Sequence, residues 1–391
     1  MGPDICNPQE LVGHGESLLR QQGVDIIEHT LAAADPYRAV IALIHLNGDK
    51  LFIGDLELNL SRFDRIRVIG AGKATFPIVK ALQDILGDRI TDGLVVLKKG
   101  STASLNKIKI IYGSHPIPDE EGYRGAKMML DLAESCSERD LVLAAITGGS
   151  SALLPLPVEG VSLEDKKLVN QLLLFSGAEI TQINAVRKHL SRIKGGWLAS
   201  KIFPATLVNL TVSDVIGDPL DYITCPTVPD TSTFEDARKV LDIFDLWEQF
   251  PVSASAYLRN GTDKLETPKS FTGMPVHSFI VVGSSAACIA AARRSEELGL
   301  SPMVLTTMLK GEAREAGTFY GCIAQEVVHF GRPVNAPCAI IAGGENTVTI
   351  HGSFGVGGPN QEFAAAAGLE IAGLPKTLVA ALDTDGTDGP T

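Results

Sequence analysis

The chain reads as an α/β protein with two Rossmann-like domains, each a parallel-rich sheet flanked by helices, with a cleft between them. Two observations predict this architecture. The first is a series of short apolar runs without alternation, such as Asp140–Ile146 (DLVLAAI), separated by segments of helical length. Strands buried on both faces read this way, and helices between them cover a parallel sheet. The second is the junction chemistry. Residues 68–74 (VIGAGKA) and 281–287 (VVGSSAA) both read as strand, small-residue turn, Ala-rich helix. That parallel fits two similar mononucleotide-type halves, or equally the generic chemistry of α/β turns.

In order along the chain, helices are expected over Pro8–Gln21 and Val24–Asn47, the second broken near Pro36. A short strand at Arg67–Gly70 leads through a glycine turn into a helix ending at Ile85. Strands follow at Gly93–Lys98 and Lys109–Tyr112, then a helix over Gly122–Ser135, then the strand Asp140–Ile146 running into Thr147–Ser151. Ala205–Val212 reads as another strand and Phe234–Phe250 as a helix. Polar Gly261–Gly273, with Pro268, marks a boundary, giving domains 1–262 and 263–391. The second series has strands at His277–Val282, Met303–Thr306 and Pro337–Gly343, helices over Ala286–Leu298 and Glu312–His329, and a last strand at Thr377–Leu382.

Composition sets limits on function. With 391 residues, 45% hydrophobic and 20% charged, the chain can bury a large core. A formal charge of -12 argues against nucleic-acid binding. Six cysteines without a CxxC pair read as reduced thiols of a cytoplasmic protein. Met1–Cys6 has no signal-peptide character, and no apolar run is long enough to span a membrane.

Candidate sites follow the glycine turns. Gly70-Ala71-Gly72-Lys73 lacks the spacing of a P-loop and of a full GxGxxG, yet its amides and Lys73 suit an anion. It could equally be only a tight connection. Thr147-Gly148-Gly149-Ser150-Ser151 adds three hydroxyls to a second such turn, which suits phosphate or nucleotide contact. Asn184, read as an N-cap, opens a cationic stretch of Arg187, Lys188, His189, Arg192 and Lys194. A solvated helix face is the plain alternative, but Gly195-Gly196 and the nearby Asp214 favour at least one catalytic cation. Asp214 and Asp218, after a strand end, suit Mg²⁺, which takes hard oxygen donors. Gly343–Thr349 and Asn360, Gln361 and Glu362 offer donors and acceptors to a polyhydroxy or carboxylate substrate. Asp383–Thr391 lacks EF-hand spacing but fits a metal or phosphate site.

Taken together, VIGAGKA (68–74), SHPIPDEEG (114–122), ITGGSSALLPLP (146–157), INAVRKHLSRIKGG (183–196), TVSDVIGDP (211–219), PTVPD (226–230), GGENTV (343–348), GGPNQEFA (357–364) and DTDGTDGPT (383–391) resemble the class II glycerate kinase family, also called the MOFRL family. The resemblance covers nearly the whole chain in the family's order. It implies a glycerate-kinase-type domain over 1–262, a MOFRL-type domain over 263–391, an active site in the interdomain cleft, and ATP-dependent phosphorylation of D-glycerate at its 2-hydroxyl. By position, Lys73 looks like the family's catalytic lysine and Asp214 like its cleft carboxylate, with Lys188 and Arg192 as further catalytic cations. ATP contacts are expected at Gly70, Gly72, Thr147, Gly148, Gly149, Ser150, Ser151, Gly283, Ser284, Gly344 and Glu345. Mg²⁺ ligands are expected at Asp214, Asp218 and Asp385, and substrate contacts at Asn360, Gln361 and Glu362. A homodimer is implied by the resemblance alone. Two departures stand out. Pro359 occupies a place where family members commonly carry arginine. The chain stops at Thr391 where they usually continue, so the second domain is expected to be incomplete. An NAD(P)H-dependent hydroxypyruvate reductase is the alternative activity, although no GxGxxG with a spaced acidic residue supports it. A weakly active, kinase-like binding protein is a third reading.

Overall fold

A computed structural model describes residues 5–389 apart from 214, 216, 224, 351, 353, 354, 385 and 387. The predicted ligands Asp214 and Asp385 therefore lie outside the described residues. The chain forms two compact units, residues 40–281 and residues 1–39 with 282–391.

The larger unit is built on a six-stranded sheet. Its strands follow a small three-stranded antiparallel sheet of β1 (Ile44–Asn47), β2 (Lys50–Ile53) and β3 (Leu56–Asn59). The main sheet has β4 (Arg65–Ala71), β5 (Asp92–Lys98), β6 (Ile108–Gly113), β7 (Asp140–Ile146), β8 (Thr206–Val212) and β9 (Val276–Val282), in the order β6-β5-β4-β7-β8-β9. The β4–β5, β5–β6, β4–β7 and β7–β8 pairs are parallel. All seven residues of β7 are buried, as an unbroken apolar run requires. Its one charge, Asp140, is tolerated because Arg65 donates from Nε and Nη2 to the two carboxylate oxygens at 2.7 and 2.6 Å.

Ile69, Val96, Val142 and Met129 join strands to the covering helix Glu120–Glu134, whose first turn is capped by Asp119. A second core, around Val169, Val186, Phe234 and Leu241, holds the helices Leu163–Phe175, Ile180–His189, Phe234–Ile243 and Val252–Arg259 together.

Winding proceeds outward from β4 to β6, then returns to the far side of β4 with β7. Connections on the two sides of β4 thus leave in opposite directions, and a crevice opens beyond the carboxyl ends of β4 and β7.

In the smaller unit, β10 (Ser301–Leu309) and β11 (Cys338–Gly344) pair in parallel. Helix Ala313–Phe330 packs on helix Pro359–Glu370 through two glycines. A Cβ on Gly317 would lie 2.3 Å from the Phe363 carbonyl oxygen, and one on Gly321 2.2 Å from Glu370 Cβ. Helix Ser17–Ala33 packs on helix Ala286–Glu297, where Arg294 Nη2 meets Asp25 Oδ2 at 2.6 Å.

That packing divides the chain differently from the expected 1–262 and 263–391. The N-terminal helix belongs with the C-terminal half, and β9 belongs to the first sheet, where Asn209 donates to Ser278 Oγ at 3.0 Å. The predicted second sheet has only β10 and β11 among the described residues, and Thr377–Leu382 is not a strand. The predicted Val24–Asn47 helix gives way to β1 at Ile44, because Leu46 and Leu51 pair across a tight turn. The Phe234–Phe250 helix ends at Ile243, shortly before Asp245 at φ 51°.

Candidate functional site

Parallel pairing aligns Gly70 with Ala145 and Ala71 with Ile146, so the two glycine turns leave the sheet side by side. They are locked together by backbone groups. Thr147 N donates to Ala71 O at 3.0 Å, and Lys73 N to Gly148 O at 2.9 Å. Ala74 N donates to Thr147 Oγ1 at 3.2 Å, and Thr75 Oγ1 to Ala145 O at 2.9 Å. Gly72 cannot carry a side chain here. Its φ is +138°, and a Cβ would lie 2.1 Å from Thr147 Oγ1. Gly149, at φ +85°, leaves its open side to two neighbours. A Cβ there would meet Lys73 Cγ at 3.3 Å and the His115 ring at 3.3 Å. Ser150 is buried with its amide on Thr147 O, Ser151 is half-buried, and the Lys73 side chain is exposed at the turn.

The arrangement is a backbone cradle with hydroxyls and a lysine at its lip, placed where the winding of the sheet reverses. Amides and a cation at such a point suit phosphate oxygens. The structure places the candidate residues Gly70, Gly72, Lys73, Thr147, Gly148, Gly149, Ser150 and Ser151 on these two adjoining turns.

β8, the parallel neighbour of β7, ends at Val212 at the same edge of the sheet. Beyond it, Asp218 is half-buried at φ 54° with its amide on Val215 O. No group of three or more His, Cys, Asp or Glu suited to a metal occurs among the described residues. Asp218 carries the hard oxygen donors that Mg²⁺ takes.

The cationic stretch divides. Its helix spans Ile180–His189, begun by Glu179 and Gln182 in a capping box, so Asn184 is interior rather than a cap. Lys188 is 2% exposed and lies 2.5 Å from Asp221 Oδ1 and 3.0 Å from Asp230 Oδ1. Burial alone would push its pKa down, but the carboxylates of Asp230 and Asp221 more than offset that and raise it. This pairing removes Lys188 from the cations open to a ligand. Asp230 is also held by Ser232 and Thr267, and Glu266 joins His189 to Lys269. Arg187 donates from Nε to Asn170 Oδ1 at 2.9 Å. Lys194, 1% exposed, donates to Leu154 O at 2.7 Å, and burial pushes its pKa down to about 8. Arg192 is exposed and makes no ion pair among the described residues. Its amide on Leu156 O ties it to the segment that follows the second turn.

The remaining predicted residues belong to the smaller unit. Gly283 and Ser284 form the turn between β9 and helix Ala286–Glu297. Gly344, at φ +152°, ends β11, and exposed Glu345 donates its amide to Leu309 O. Asn360, Gln361 and Glu362 open helix Pro359–Glu370, but the backbone amides of the first two and the Asn360 side-chain amide already donate to Asp388. Asp388 Oδ1 accepts from Asn360 N and Nδ2 at 2.9 and 3.1 Å, and Oδ2 from Gln361 N at 2.9 Å. Glu362 lies 4.0 Å from Arg314. Sequence reasoning missed Asp388 as an internal anion for this helix end, although the Asp-rich tail marked the region. It did not single out His115, which lies beside Gly149, although the motif SHPIPDEEG (114–122) contains it.

Fold and site together define a phosphate-handling α/β enzyme built on a doubly wound sheet. Comparison with known proteins gives the family. Residues 22–259 match the family model described as domain of unknown function (DUF4147), and residues 338–391 match the MOFRL family. A glycerate 2-kinase of Pyrococcus horikoshii is 44% identical, covering 95% of this chain and 84% of that protein. A D-glycerate 2-kinase of Thermotoga maritima is 38% identical over 95% and 84%. Among solved structures, a P. horikoshii protein superposes with a TM-score of 0.82 at 44% identity, covering 95% of this chain and 85% of the other. A T. maritima glycerate kinase does so with 0.80 at 36%, covering 96% and 86%. Agrobacterium vitis proteins named for hydroxypyruvate reductase are 38% identical over 93% and 83% of this chain and 79% and 83% of theirs. The chain belongs to the glycerate 2-kinase family.

Proposed function

We propose that this protein transfers the γ-phosphoryl group of ATP to the 2-hydroxyl of D-glycerate, giving 2-phosphoglycerate. The observation that carries the reading is the pair of interlocked turns at the switch point, with Lys73 on the lip, in a chain 44% identical to a glycerate 2-kinase over 95% of its length. Phosphoryl transfer asks the protein mainly for positioning and charge neutralisation. Amides of the two turns other than those of Lys73, Ala74, Thr147 and Ser150, which already donate within the chain, would hold nucleotide phosphates with the hydroxyls of Thr147, Ser150 and Ser151, and Lys73 would balance charge on the transferring group. Arg192 is the second cation placed to do so. Mg²⁺, held by Asp218 with Asp214, would neutralise phosphate oxygens.

A reductase reading has less support. The first turn places Lys73 directly after Gly72, and the GxGxxG spacing that dinucleotide binding uses is absent. No helix among the described residues is long and apolar enough to cross a membrane, and these residues form no disulfide. Cytoplasmic residence accords with that, and a homodimer rests on family resemblance alone.

The test is incubation with D-glycerate, ATP and Mg²⁺, with products identified by ³¹P NMR. Formation of 2-phosphoglycerate is expected. Loss of NADH or NADPH with hydroxypyruvate, and no phosphorylated product, would replace the kinase with the reductase.

A further inference from the structure

We propose that His115 is a catalytic residue that takes the proton from the acceptor hydroxyl as the phosphoryl group arrives. The proposal rests on the kinase reading above. Its geometric ground is Gly149. On the side where a Cβ would stand, this glycine faces both Lys73 Cγ and the Nε2–Cδ2 edge of the His115 ring, each 3.3 Å from that position. One bare glycine therefore brings a lysine and an imidazole together over the second phosphate turn. A side chain at 149 would occupy the space they share.

His115 arrives from the end of β6, far along the sheet from β7, and its approach is built into the fold. The residue before it, Ser114, donates to Asp119 Oδ2 at 2.8 Å. Asp119 Oδ1 accepts from Gly122 N at 2.9 Å, which starts helix Glu120–Glu134. Lys99, just past β5, closes on Asp119 at 2.6 Å and donates its amide to Gly113 O. A turn fastened at three points presents the imidazole toward Gly149.

In the step itself, the O–H bond of the 2-hydroxyl breaks and its proton passes to the imidazole. The oxygen's electron pair forms the new bond to the γ-phosphorus. The bond from that phosphorus to the β–γ bridging oxygen breaks, and its electron pair leaves on ADP.

The experiment uses the full chain with ATP, Mg²⁺ and D-glycerate. His115→Gln is expected to lower kcat about 100-fold, the scale of a lost general base, with the KM for ATP within about threefold of wild type. In His115→Ala, added imidazole is expected to restore part of the lost turnover, which a merely structural residue would not allow. Wild-type kcat is expected to fall toward acid pH as the base becomes protonated. Turnover of His115→Gln within about threefold of wild type would overturn the proposal. So would a loss confined to the KM for ATP, an absence of imidazole rescue, or a wild-type kcat that stays flat into acid pH. A wild-type protein that makes no 2-phosphoglycerate would remove the kinase reading itself, and this proposal with it.

Discussion

Two regions of the larger unit carry lysines, and they use them in opposite ways. At the end of the Ile180–His189 helix, Lys188 is buried between Asp221 and Asp230. At the first glycine turn, Lys73 is exposed beside amides, hydroxyls and a histidine. As a sequence, the 187–194 stretch looks like the stronger anion site because it has more positive charge. In the fold its Lys188 is enclosed by counter-ions that the chain supplies from 33 and 42 residues further on. Density of cations in a sequence therefore does not say which of them the fold buries in ion pairs.

The sharpest way to break this comparison is to remove one lysine from each region. Lys188→Met leaves Asp221 and Asp230 facing each other in the interior. Breaking a buried pair in this way costs about 3–5 kcal/mol. Urea denaturation is expected to show that loss, and an unchanged midpoint would mean that the network contributes nothing to folding. Lys73→Ala is expected to do the reverse. Its side chain is exposed, so stability stays within about 0.5 kcal/mol, while turnover falls by about 10²–10³-fold, as for other lost electrostatic donors. A kinase assay on the folded variant checks this, and a wild-type rate would remove Lys73 from the mechanism.

Lys194 sharpens the contrast through pH. It is buried with a carbonyl as its hydrogen-bond partner, and its pKa falls from 10.5 to about 8 on folding. Below pH 8 both states carry the proton, and the folded state bears the full cost of burying the charge. Between about pH 8 and 10.5 the unfolded chain binds more protons than the folded one, so this residue makes stability rise with pH there. A difference of about 2.5 units corresponds to about 3 kcal/mol. Lys194→Met is expected to be more stable than wild type at pH 7, with the gap closing by pH 10.5. A gap independent of pH would mean that the lysine is not buried as a charge.

These contrasts also mark what could be read from the sequence. The glycine turns were legible because strand, turn and helix start are consecutive, although the contact that requires Gly72 comes from Thr147 of the other turn and was not. The main strands were legible because burial on both faces leaves an unbroken apolar run. The Lys188 network was not, since Asp221, Asp230 and Glu266 carry no local mark of their partners. His115 was missed for the same reason, because only the parallel sheet brings the end of β6 toward the turn after β7. The ion pair between Asp25 and Arg294 joins residues 269 apart, which is why the packing of helix Ser17–Ala33 with the C-terminal half was not legible.

The smallest effect is expected at Pro359, and it tests whether pairing within the chain governs the smaller unit as well. Proline at the first position of helix Pro359–Glu370 suits that helix, since its missing N–H would find no helical partner there. The helix end already holds an anion, the Asp388 carboxylate on Asn360 and Gln361. An arginine at 359 would enter beside that carboxylate, and part of its charge would be spent on Asp388 rather than on a substrate. Pro359→Arg is therefore expected to raise turnover on D-glycerate by less than about tenfold, a gain below about 1.4 kcal/mol, with stability changed by no more than about 1 kcal/mol. A larger gain would mean that Asp388 releases the helix end when substrate binds. A fall in turnover would mean that the proline is fitted to the substrate this protein uses, with the needed cation supplied from elsewhere.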